Sequence, residues 1–193
     1  MNGALNISRK EQIEVTATSL FQNKGYAATS MRDLATGLGI EAASIYSHIK
    51  SKEEILQNIC FKMADEFFDA KETIEKKNLP PIEKLKEAIK GHVRVVTKNA
   101  AASAVFFTEY KHLSEPALSE FLQMRTHYED WFRNIIIDGM KQKKMREVDQ
   151  KFTILTILSS INFISNWYKP DGKMSADEIG ERLSKLFIQG LKS

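Results

Sequence analysis

The chain of 193 residues carries one cysteine, Cys60, so it cannot form an internal disulfide, and a reducing, cytoplasmic setting is expected. Four prolines and nine glycines are too few for a collagen-like or low-complexity protein. Charge of one sign is also missing. With 28 Lys and Arg against 25 Asp and Glu, the net charge is only +3, which excludes a basic tail or an acidic solvating protein but not a local basic surface. The first ten residues lack a basic start followed by an apolar run, so no secretory signal is read there. No long hydrophobic run occurs. The most apolar stretch, residues 152–168, is interrupted by Thr153, Thr156, Ser159, Ser160, Asn162, Ser165 and Asn166, too short and too polar for a membrane span. The sequence has no phosphate loop, dinucleotide fingerprint or nucleophile elbow, its four histidines are not at paired metal spacing, and it shows no internal repeat. No catalytic role, cofactor or metal is expected.

What remains is helical periodicity almost everywhere. With 42% apolar residues the chain can build a core without a staple. Ser8-Arg9-Lys10-Glu11 reads as a capping box for a helix to Lys24, ended by Gly25. Thr29 or Ser30 caps a second helix to Thr36. A third spans Glu41 to His48, and Ser51-Lys52-Glu53-Glu54 opens a long fourth to about Lys76. Pro81 starts a fifth, Ala100–His112 forms a sixth, and a seventh runs from Pro116 to about Lys144. Asp149 caps an eighth to Tyr168, and Ser175 caps a ninth. The expected fold is all-α, a three-helix head over residues 1–52 and a six-helix body over 53–193.

Between Met31 and Ile49, Ala35 and Gly39 stand four apart at a tight turn between two short helices, the pattern of a helix-turn-helix or of an ordinary helical corner. The residues that follow, Ser44-Ile45-Tyr46-Ser47-His48-Ile49-Lys50-Ser51-Lys52, together with Gly25-Tyr26, Thr29, Leu34-Ala35 and Leu38-Gly39-Ile40, resemble the TetR family of bacterial repressors. Ala42-Ala43 and Ser47 depart from that pattern, which often has a polar residue and Gly at the first pair and a second aromatic at the last. Because they sit where bases are read, no operator sequence carries over.

The resemblance implies a recognition helix in the major groove, with Glu41, Ala42, Ala43 and Ser44 against base edges. Alanine methyls suit thymine, and a serine hydroxyl suits several edges. Readout this weak leaves room for DNA shape. Tyr46, Ser47, His48, Lys52, Arg32 and Thr29 or Ser30 at the second helix's N-terminus are the expected backbone contacts, with Lys24 and Lys50 as further cations. The lesser alternative for Tyr46 is a core ring, and His48 could equally be a packed structural histidine. Up to Lys52 the head carries six bases against four acids, so binding to double-stranded operator DNA should be salt-sensitive but not extreme. A homodimer on a pseudo-palindrome is implied.

Family members pair through their last two helices, which here points to Leu155, Leu158, Ile161, Leu183, Phe187 and Leu191. The middle helices are rich in rings. An aromatic stripe packs a core as readily as it lines a pocket, but in this family it surrounds a small-molecule site, here assigned to Phe67, Phe106, Phe107, Tyr110, Tyr128 and Trp131. Residues 166–175, Asn-Trp-Tyr-Lys-Pro-Asp-Gly-Lys-Met-Ser, resemble the junction before the last helix of acyl-CoA-responsive members, which adds Trp167 and implies a lipophilic effector such as a fatty acyl-CoA. The alternatives are an efflux regulator sensing hydrophobic compounds and an all-helical lipid-binding protein without DNA binding.

Overall fold

A computed structural model describes residues 8–192; the first residues, read above as lacking a secretory signal, lie outside them. Within it the chain is helical throughout, with no strand among the described residues. The helices are α1 (Arg9–Lys24), α2 (Met31–Leu38), α3 (Ala42–Ile45), α4 (Lys52–Glu75), α5 (Pro81–Lys98), α6 (Ala100–Thr108), α7 (Ala117–Lys141), α8 (Gln150–Asn162), α9 (Ile164–Trp167) and α10 (Ala176–Leu191), with a short 3-10 turn at Tyr110–His112 between α6 and α7.

Local chemistry accounts for most starts. Ser8, Ser30 and Ser175 each form a complete capping box with the acidic residue three positions on, satisfying two backbone N–H groups that the helix leaves open. Ser51 accepts from the Glu54 N–H, but the Glu54 carboxylate reaches past it to the Lys50 N–H at 2.7 Å, so the expected box is half formed. Ser30, not Thr29, caps α2.

Three elements end differently from their periodicity. The third helix stops at Ile45 rather than His48, because Tyr46–His48 turn so that Ile49 can bury itself beside Ile45. The sixth changes to a 3-10 turn after Thr108. The eighth breaks at Phe163, giving α8 and α9.

In the head, Ile13, Ala17 and Phe21 of α1 pack on Leu34 and Ala35 of α2 and on Ile45. Gly39 holds φ at 64° with its N–H on the Ala35 and Thr36 carbonyls, a left-handed conformation that strains any residue with a Cβ. In the body, α5 is the central rod, packed against α4, α6, α7, α8, α9 and α10. Along its length α10 is held by Lys86 and Lys90 on Glu181 (2.9 and 3.0 Å) and Arg94 on Asp177 (2.8 Å). Because α4 runs unbroken from the head into the body, tilting it moves both.

Candidate nucleic-acid interface and effector cavity

The short α3 presents Ala43 and Ser44, and the turn after it Ser47 and His48, to solvent around a shallow concavity that Arg9, at the start of α1, also lines. Tyr46 is 56% exposed, so it is not a core ring. Glu41, Ser30 and Ser47 are exposed too, while Ala42 and Arg32 are half to fully open. Arg9 was missed as a site residue. Its capping box shows where a helix begins, but only the fold brings that end beside α3.

Two of the residues expected at phosphates make contacts within the protein. Thr29 is 1% exposed and its hydroxyl donates to the Gly25 carbonyl at 2.8 Å. The Lys52 ammonium donates to the carbonyls of Tyr26 and Thr29, both at 2.7 Å, and lies 4.1 Å from the centre of the Tyr26 ring. Burial pulls its pKa below the ordinary lysine value. A lysine in a first turn opposes the helix dipole; here its two hydrogen bonds tie the α1–α2 loop to α4. Asp33, hydrogen-bonded by the Ser30 side chain and backbone and then by Lys24, is held well below the usual carboxylate range.

That loop also docks on the body. The Tyr26 N–H donates to Glu109 Oε2 at 3.0 Å, and its ring stacks on His112 with centroids 5.1 Å apart. Nearby, the Ser114 N–H donates to Glu53 Oε1 at 2.7 Å. Glu109 and His112 therefore join body to head.

Between α4, α5, α6, α7 and α8 lies a narrow cavity of about 50 Å³. Phe67 is the hub of the aromatic wall, with its ring 4.6 Å from His92, 5.4 Å from Phe106, 5.6 Å from Tyr128 and 6.0 Å from Phe107. Four of the seven residues expected here line it: Phe67, Phe106, Phe107 and Tyr128. Three do not. Tyr110 stacks on Phe121 from outside, under Arg125. Trp131 turns its indole N–H to Glu75 at 2.5 Å. Trp167 is exposed on α9. His92, Asn162 and Leu158 are among the further lining residues and were not assigned to it. No sequence signal links His92 and Asn162, which are far apart along the chain.

Burial lowers His92 to a pKa of about 3 and raises the phenol of Tyr128, 3.3 Å from its Nδ1. An unfolded histidine titrates near 6.5. Between those two values the unfolded chain binds a proton that the folded chain refuses, so stability is full above about pH 6.5 and falls as pH drops toward 3. Chemical denaturation across that range should show a loss of roughly a few kcal/mol attributable to this group, and His92→Phe should flatten that part of the profile. Cys60, buried on α4, is pushed up to about 12 and is inert.

The expected interface residues divide by face. Ile161 is fully buried, and Leu158 and Leu191 are buried as well, so these three pack within the protomer. Leu183 and Phe187 are half-buried. Leu155, also expected there, is exposed; with Phe152 (70% exposed) and, just beyond the end of the helix, Phe163 it makes the outward apolar row on α8, and on α10 Leu186 (64% exposed) faces outward.

Among the described residues no helix is long and apolar enough to cross a membrane, and no three His, Cys, Asp or Glu side chains are grouped to hold a metal.

Residues 13–59 match the family model for bacterial regulatory proteins of the tetR family, and residues 78–191 match the tetracyclin repressor-like C-terminal domain. The HTH-type transcriptional repressor KstR2 of Mycolicibacterium smegmatis is 25% identical over 186 residues, covering 95% of this chain and 91% of its own. The solved ketosteroid transcriptional regulator KstR2 of Mycobacterium tuberculosis has a TM-score of 0.91 at 23% identity over 99% of this chain and 98% of its own. AibR, solved in complex with isovaleryl coenzyme A and operator DNA, has a TM-score of 0.79 at 23% identity over 96% and 98%.

Proposed function

The chain belongs to the TetR family of bacterial transcriptional regulators, and from that membership we propose that it is a repressor that binds a pseudo-palindromic operator as a dimer and is released by a lipophilic effector, an acyl-CoA being the first candidate. Its relatives named above are transcriptional regulators, not enzymes. Support for the DNA role comes from the exposed α3 face with Tyr46 and Arg9 beside it. Support for an acyl-CoA comes from the aromatic wall of the cavity and from AibR, which binds isovaleryl coenzyme A on a similar fold.

One observation carries the link between the two sites: α6 belongs to both. Phe106 and Phe107 form cavity wall, and Glu109, at the end of the same helix, holds the Tyr26 N–H of the head. At about 50 Å³ the cavity has room for a few water molecules but not for an acyl chain. A ligand must therefore push α4, α6 and α7 apart, and it favours whatever head position accompanies the wider body.

Labelled DNA from upstream of the gene should bind the protein, and long-chain acyl-CoAs at tens of micromolar should release it. Release by hydrophobic drugs with acyl-CoAs inert would replace the effector by the efflux type. Removing the joint with Glu109→Ala should leave DNA binding and effector binding each within about threefold of the parent, since the residue touches neither site, but should reduce effector-driven release severalfold, in the range of ordinary coupling energies. Anisotropy of the labelled DNA, titrated with effector, reads all three quantities.

A further inference from the structure

The aromatic cavity contains two polar atoms that the protein leaves unsatisfied. His92 Nε2 and Asn162 Oδ1 are both buried without a hydrogen-bond partner, and both residues line the cavity. Bare buried polar atoms of this kind are costly and rare in native interiors unless something else completes them. The His92 ring is not free to swing away to water: it is buried, stacks on Phe67 at 4.6 Å and has Phe107 beside it at 6.2 Å. Asn162 is the last residue of α8, where the helix breaks. Asn162 hydrogen-bonds His92 loosely enough to favour its charged form against the larger effect of burial, but the pair falls outside normal hydrogen-bond geometry, so each atom is at best weakly satisfied by the other.

The polarity of each atom follows from its chemistry. A neutral imidazole has one N–H and one lone pair. With the Tyr128 hydroxyl, 3.3 Å from Nδ1, taken as the donor of that pair, the hydrogen of the ring is left on Nε2. Asn162 Oδ1 only accepts. One donor and one acceptor thus look into a chamber otherwise walled by rings. The charged groups at its rim, Arg125 and Glu129, already oppose each other at 3.5 Å.

We propose that the cavity selects an effector whose apolar body carries an uncharged hydroxyl within it, the oxygen accepting from His92 Nε2 and the hydrogen donated to Asn162 Oδ1. A carbonyl completes only the first bond, and a hydrocarbon neither. A carboxylate would meet the acceptor of Asn162 and no free cation. The proposal rests on the lipophilic-effector reading above and specifies what that effector must contain.

The test uses the full chain and three probes of one shape: phenylcyclohexane, 4-phenylcyclohexanone and trans-4-phenylcyclohexanol, titrated by calorimetry. The alcohol should bind about tenfold or more tighter than the hydrocarbon, with the ketone between, because a site with a bare polar atom discriminates strongly against a ligand that leaves it bare. Asn162→Leu and His92→Phe, made separately, should each remove most of that preference while the hydrocarbon binds as well as to the parent. The alcohol and the ketone should each shift the His92 imidazole nitrogen resonances, and the hydrocarbon should not. Equal affinity for all three probes, a ketone as tight as the alcohol, or a preference that survives both variants overturns the hydroxyl bridge and leaves the lipophilic cavity standing. No binding by any probe removes the lipophilic cavity and the bridge together.

Discussion

Ala43→Glu should lower affinity for operator DNA by about a hundredfold or more while leaving the melting temperature within a few degrees of the parent. Ala43 is exposed on α3, in the concavity shared by Arg9, Ser44, Ser47 and His48. On this reading the face lies in the groove, where a new carboxylate meets phosphates on either side. Like charges set together across an interface cost several kcal/mol, and each ~1.4 kcal/mol is a factor of ten. The fold has no reason to object. The side chain points to water, and an acidic residue in the first turn suits the helix dipole. Anisotropy at fixed salt, paired with thermal melting, separates the two effects. An affinity within threefold of the parent would remove α3 from the DNA contact.

Phe152→Glu combined with Leu186→Glu should convert a dimer to a monomer and, through that, weaken operator binding by two to four orders of magnitude. Both side chains are mostly exposed, on α8 and α10, where large apolar groups in water mark a surface that is covered in the assembled protein. Four carboxylates across a two-fold interface would be unpaired and desolvated. Losing the second head costs the effective concentration that links two half-sites, a factor of about 10²–10⁴. Light scattering reads the mass and anisotropy the affinity. Helicity should be unchanged, since neither residue belongs to the core. A double variant that remains dimeric would move the interface elsewhere.

The contrast between those residues and the ones the periodicity suggested shows where sequence reading stops. Helix α8 is apolar on two stripes. Phe152, Leu155 and Phe163 make one; Ile154, Ile157, Leu158 and Ile161 make the other. Hydrophobicity alone does not say which stripe faces the protomer's own core, so Leu158 and Ile161 read as interface when they are interior. Rings present the same ambiguity. Phe67 and Trp131 look alike in the sequence, yet one is the hub of the aromatic wall and the other turns its N–H to Glu75.

The sequence by itself determined the helical class, nearly all the helix starts, the turn at Gly39 and the family. These depend on contacts within three or four residues, such as Ser8 with Glu11 and Ser30 with Asp33, or on a motif read in order along the chain. The tertiary structure alone decided where Lys52 places its ammonium, that Glu109 holds Tyr26, and that His92 and Asn162 line the same cavity. Each of these joins residues tens of positions apart. Their meeting is set by how whole helices pack around α5, and local periodicity carries no record of that packing.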